Sequence, residues 1–253
     1  MNQQHTTVHE SIDFLSLPSE LRNTIYDLLF LHERPISPWL PSHFFDFCGR
    51  EKHTPGLLRA NKSIHREASS VFYGRNRFDF TAATPDELVA FLKEIGTNNA
   101  GRIQHVLIDF PVFLHLDRGD VTLQHGTIGI LANIENGCAN LRTITTSLQS
   151  TNRMQIRLDN LENPNVAAEA LKLADTSFRA ISSLQEIILQ LPGDTPMDHT
   201  RTVMGSCGWT LRMTDHVMEE AWGFSDSDDS EYGYDYDDDD CSVEDDSDED
   251  GDF

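Results

Sequence analysis

Basic charge, paired cysteines and long apolar runs are what this chain lacks. Nineteen Lys and Arg stand against 42 Asp and Glu in 253 residues, for a net charge of −23. No stretch gathers the basic surface that nucleic-acid binding requires, so nucleic acid is not expected as a partner. The four cysteines, Cys48, Cys138, Cys207 and Cys241, lie far apart with no Cys-x-x-Cys pair. Such spacing argues against a disulfide framework and a zinc site, and suits a reducing compartment. No apolar run approaches the length of a membrane span, and the polar start MNQQHTTVHE does not resemble a signal peptide. The expectation is a soluble intracellular protein, cytoplasmic or nuclear, without a membrane partner.

Catalytic signatures are missing as well. There is no phosphate-cradling glycine loop, nucleophile elbow or His-Glu-x-x-His. His105, His115 and His125 recur every ten residues, but ten matches neither helical nor strand periodicity for a shared site. No cysteine or carboxylate stands at ligand spacing to support them as metal ligands. Asp109 and Asp117 are candidate paired acids that nothing in the sequence brings together. The sequence therefore predicts no enzyme, no cofactor and no metal.

What is present begins with two amphipathic segments. In Phe14 to Phe30, Ser16 is a candidate N-cap, Pro18 falls in the first turn, and Leu21, Ile25, Leu28 and Leu29 recur at helical spacing. In Leu57 to Phe80, residues Leu57, Ala60, Ile64, Ala68, Val71 and Phe72 share one face. Gly74 is a candidate stop, and Phe78-Asp79-Phe80 alternates like the opening of a strand.

Leu17-Pro18-x-Glu20-Leu21, with Ile25 and Leu28 beyond, resembles the first helix of an F-box, and Leu58-x-x-x-Lys62 with Arg66 resembles a later one. Closed by Phe72-Tyr73-Gly74 and Asn76-x-Phe78, the pair resembles a family of fungal F-box-like proteins with the pattern LPxELRNxIYxLL…LLRxNxxIxxEAxxxFYGxNxFxF. The likeness covers about the first third of the chain, with boundaries good to a few residues. Residues Leu31 to Gly56 separate the helices where ordinary F-boxes have a short connection. The resemblance implies that Leu17, Pro18, Leu21, Ile25 and Leu28 form the interface for a Skp-type adaptor of a cullin ubiquitin ligase. A protein substrate would then be held elsewhere, and catalysis would belong to partners. A second reading keeps the helix pair as the internal core of a scaffold or binding module with no ligase attached.

Beyond the helices, Ile103-x-x-Val106-x-Ile108, Leu141-x-x-Ile144-x-Thr146 and Leu184-x-x-Ile187-x-Leu189 repeat a leucine-rich-repeat-like strand pattern, 38 and 43 residues apart. A helix is expected before each. The first opens on Thr84, Pro85 and Glu87 in a capping box; the second spans Ile128 to Ile134 and ends by Gly137; the third runs from Val166 to Ile181 behind Asn163 and Pro164. Strict alternation predicts parallel strands near 103–109, 141–147 and 184–190, with Val106, Ile108, Ile144, Ile187 and Leu189 in one apolar layer. The fold class is therefore α/β: F-box-like helices followed by a short irregular arc of parallel strands, or else a plain open α/β layer.

Four aromatics, Trp39, Phe44, Phe45 and Phe47, are expected to fold the 31–56 insert onto the core. Leu211 to Trp222 places Met213, Val217, Met218 and Ala221 at helical spacing. The organisation expected is a loose start (1–12), an F-box-like module (13–80), an α/β domain (81–224) and an acidic tail (225–253). That tail holds 16 Asp and Glu and no Lys or Arg, leaving 26 acidic against 19 basic residues elsewhere. Such composition predicts disorder. Ser225, Ser242 and Ser247 each have an aspartate three residues on, the pattern favoured by acidophilic casein-type kinases. The tail reads either as a solubilising segment or as an electrostatic arm for basic proteins.

Overall fold

Alternation of apolar residues along three short segments sets the centre of the molecule. The computed structural model describes residues 13–39, 61–193 and 199–214. The expectations for the 225–253 tail and its serines, for the first twelve residues, and for Phe44, Phe45, Phe47, Leu57, Leu58 and Ala60 lie outside those residues. All described residues belong to one compact unit, Met1–Val217.

The main sheet has five strands: β1 (Arg77–Asp79), β2 (His105–Ile108), β5 (Thr143–Thr146), β6 (Glu186–Pro192) and β7 (Thr210–Thr214). They lie in that order, every neighbouring pair parallel. The expected apolar layer is present: Phe78, Val106, Ile144 and Ile187 form one buried rung, and Ile108, Thr146 and Leu189 the next. Ile36 adds a single parallel bridge to Phe78 at the β1 edge, and Trp39 packs on Phe80 and Phe91. The described start of the insert thus folds back as its aromatic content suggests.

Helices cover the buried face. They are α1 (Ser19–Phe30), α2 (Lys62–Arg75), α3 (Pro85–Ile95), α4 (Thr97–Ala100), α5 (His125–Gly137), α6 (Leu148–Asp159), α7 (Pro164–Arg179) and α8 (His199–Ser206). The Thr84–Glu87 capping box forms as the sequence predicts, and Asn163 caps α7 with Pro164 in its first turn. Among the described residues, no helix is long and apolar enough to cross a membrane.

Several local expectations are corrected. Alternation of strand and helix is not strict. A hairpin of β3 (Phe113–Asp117) and β4 (Asp120–Leu123) intervenes after β2, turning at Gly119 (φ 78°), and α6 adds a second helix between β5 and β6. Leu211 to Thr214 is not helical, because Thr210–Thr214 pairs with Ile188–Pro192 to continue the sheet. Ser16 does not cap α1. It closes a 3-10 turn, Phe14–Ser16, and Pro18 occupies the cap position. A residue preceding proline is pushed out of the helical region, which keeps Leu17 extended (φ −69°, ψ 145°). Gly74 does not end α2 either. The helix runs to Arg75 and stops where Asn76 turns extended and takes over the terminal carbonyls.

Candidate functional site

Two surfaces are candidates for a functional site, and the first is built by α1 and α2. Tyr26 and Phe30 of α1 are buried against Ile64, Ala68 and Val71 of α2. Phe72 links this cluster to the larger one behind the sheet, with its ring at 6.3 Å from Phe30 and 6.0 Å from Phe78.

Polar contacts lock the pair. Arg22 donates through Nε and Nη2 to the two carboxylate oxygens of Glu67, each at 3.0 Å, and through Nη1 to the Leu17 carbonyl at 2.6 Å. Tyr26 Oη donates to Glu67 Oε2 at 3.1 Å. The Arg22 hydrogen bonds hold the Glu67 carboxyl below its usual range, with the Tyr26 hydroxyl helping. Burial, reinforced by the Glu67 carboxylate, pushes the Tyr26 phenol up to about 12. Arg75 pairs with Asp27 across the same helices. Buried Asn76 donates to the carbonyls of Phe30 (2.7 Å) and Phe72 (2.9 Å) and accepts from the His32 N–H (2.9 Å). One amide thus satisfies the C-terminal ends of two helices.

With its aromatic residues and Leu29 turned towards α2, α1 leaves Leu21 and Leu28 outside. Leu21 is 52% exposed and Leu28 65%, Pro18 is exposed, and Leu17 and Ile25 are half-buried. Of the five residues named from the sequence, Pro18, Leu21 and Leu28 therefore lie on the outer side of the helix and its entry turn, with Leu17 and Ile25 partly turned inward.

The second surface is the sheet face turned away from the helices. Alternation places Arg77, His105, Thr143 and Glu186 in one rung there and Leu107, Thr145, Ile188 and Thr210 in the next, followed by Gln190 beside Arg212. All of these but Thr210, with Pro35 at the edge, line a groove of about 240 Å³ to which no described helix residue contributes. Burial lowers the pKa of His105, and Arg142 and Arg77 lower it further, against a smaller opposing effect of Glu186. The imidazole is therefore neutral near pH 7.

The remaining candidates are dispersed. His105 lies on β2, His115 in the hairpin and His125 at the start of α5. Asp109 accepts from Ser147 Oγ at 2.8 Å, whereas Asp117 stands opposite Asp120 across the hairpin. Among the described residues, no three His, Cys, Asp or Glu side chains are grouped so as to hold a metal ion. A second cavity of about 280 Å³ lies over the C-terminal ends of β1 and β2. Its Thr84 and Thr127 hydroxyls are already engaged, the first in the α3 cap and the second by the Val112 N–H.

Sequence reasoning did not single out the groove, although one signal was available. The residues between the apolar positions of each strand pattern (His105, Leu107, Thr143, Thr145, Glu186, Ile188) define the opposite face by period-two alternation. Set against known proteins, the chain matches no family model, no curated protein and no solved structure.

Proposed function

We propose that this chain is a protein–protein interaction adaptor of the F-box type. In this reading the outer side of α1 docks a Skp-type adaptor. The sheet, read as a leucine-rich-repeat-like arc because its strands follow chain order, offers the face turned away from the described helices to a protein substrate. The chain does no chemistry itself; ubiquitin transfer belongs to its partners.

The observation that carries the reading is how α1 divides its apolar residues. Tyr26 and Phe30 supply the internal packing, so Leu21 and Leu28 are not needed there and remain exposed. A contiguous aliphatic patch of that kind marks an interaction site more often than an ordinary solvated helix face. Purified full-length chain mixed with a purified Skp-type adaptor is expected to co-elute as one complex in size-exclusion chromatography. Two unshifted peaks would contradict the reading.

A specific observation also favours the scaffold alternative. The Arg22–Glu67 pair and the half-burial of Leu17 and Ile25 tie α1 to its own chain. Under that alternative α1 is a brace for α2 and the sheet, and no adaptor binds.

A further inference from the structure

We infer that the groove on this sheet face binds a short acidic peptide segment with aliphatic residues at its centre, lying across the strands. The inference rests on the reading of that face as the substrate platform and adds the chemistry of the occupant.

Charge supports it first. Arg77, Arg142 and Arg212 are all exposed, and none of them is in an ion pair among the described residues. Arg22, Arg75 and Arg179, in contrast, are each paired with a carboxylate of the protein. Arg77 and Arg212 line the groove itself, and Arg142 is close enough to His105 to lower its pKa. Two guanidinium groups therefore line the groove with one carboxylate, Glu186, whose Oε1 already accepts from Thr210 Oγ1 at 3.2 Å; Arg77 also donates through Nη2 to the Glu33 carbonyl at 2.5 Å, and Arg142 adds its charge beside His105. On a chain of net charge −23, this local excess of positive charge selects an acidic occupant.

Apolar spacing supports it second. Leu107, Thr145 and Ile188 are in register across β2, β5 and β6; Leu107 and Thr145 are half-buried and Ile188 is only 6% exposed, so the three form the floor of the groove, with Leu107 its more accessible aliphatic side chain. Arg77 is in register with Glu186 and Arg212 with Gln190, so the two arginines stand four strand spacings apart across the sheet and four residues apart along it, about 23 Å on the diagonal, which an extended peptide covers in about seven residues. Acidic side chains near both ends of such a segment reach the two arginines while its central aliphatic residues meet Leu107 and Ile188.

The test uses the full-length chain alone and a fluorescein-labelled nonapeptide with two glutamates at each end and leucine and isoleucine between them. Fluorescence anisotropy at low salt is expected to show saturable binding that weakens steeply towards ~0.5 M salt. Arg212→Glu should weaken binding by about tenfold or more, whereas Arg118→Glu at the hairpin tip should leave it unchanged. Replacing the glutamates with lysine, or the two aliphatic residues with serine, should each abolish binding. Four outcomes would overturn the inference: no binding up to about 1 mM peptide, equal binding of the lysine or serine peptide, loss in Arg118→Glu equal to that in Arg212→Glu, or self-association of the chain instead of peptide capture. No Skp-type adaptor is present, so failure here leaves α1 docking standing, and failure of α1 docking leaves this result standing.

Discussion

Arg22 and Glu67, 45 residues apart in sequence, meet in a two-pronged ion pair that fixes α1 on α2. The pair predicts an acid edge to stability. Glu67 titrates below its unfolded value, so its contribution is complete above about pH 4.5 and is lost as pH falls through the lower folded value. Tyr26 works at the other end. Its contribution is complete below about pH 10 and is lost as pH rises through about 12. In urea melts, Glu67→Gln should be less stable than wild type at pH 7, and the gap should narrow progressively as the pH falls below about 4.5. A gap independent of pH would show that the carboxylate charge is not what Arg22 recognises.

Close packing of α5 on α3 predicts opposite outcomes at two glycines. A Cβ on Gly129 would lie 2.9 Å from Pro85 Cγ, whereas nothing lies within 4 Å of one on Gly126. The proline ring cannot swing away, so Gly129→Ala should lower the melting temperature despite the better helix propensity of alanine. Gly126→Ala should be neutral or raise stability by up to about 1 kcal/mol. Thermal melts of the two variants against wild type check the pair.

How much of this was legible from the sequence depends on where each element's stability comes from. The start of α3 was readable because Thr84, Pro85 and Glu87 satisfy their own backbone locally. The β2, β5 and β6 strands were readable because their alternate residues are aliphatic and buried. α6 was missed because its inward face includes Thr151 and Gln155. Thr151 Oγ1 is satisfied by Thr146 Oγ1 at 2.7 Å, a contact that apolar periodicity does not register. β7 was read as helix because only pairing with β6, about twenty residues earlier, decides its conformation. On α1 the apolar spacing pointed to Leu21, but burial of Tyr26 in its place needed α2 in position.

The central layer predicts a large cost for truncation. Leu189 has no exposed surface and stands in register between Thr146 and Leu211. Leu189→Ala should cost about 2–5 kcal/mol of unfolding free energy, measured by urea denaturation. A loss below about 1 kcal/mol would mean that the layer is loosely packed.

Cys138 predicts a chemical signature. Its side chain is fully buried, and burial pushes the thiol up to about 12. At pH 8 it should stay unlabelled by maleimide in the folded protein and react only after unfolding, as read by peptide mass spectrometry. Labelling of native Cys138 at the rate of a free thiol would contradict its place in the core.

The proposed docking role of α1 is tested most directly by the dissociation constant of a purified Skp-type adaptor, measured by calorimetry on wild type and on Leu21→Asp. Leu21 is half exposed and outside the α1–α2 core, so the substitution should change unfolding free energy by about 0.5 kcal/mol or less. The account predicts binding by wild type, a loss of about tenfold or more in Leu21→Asp, and an unchanged melting temperature. Equal binding by the two proteins, or none by either, would contradict it.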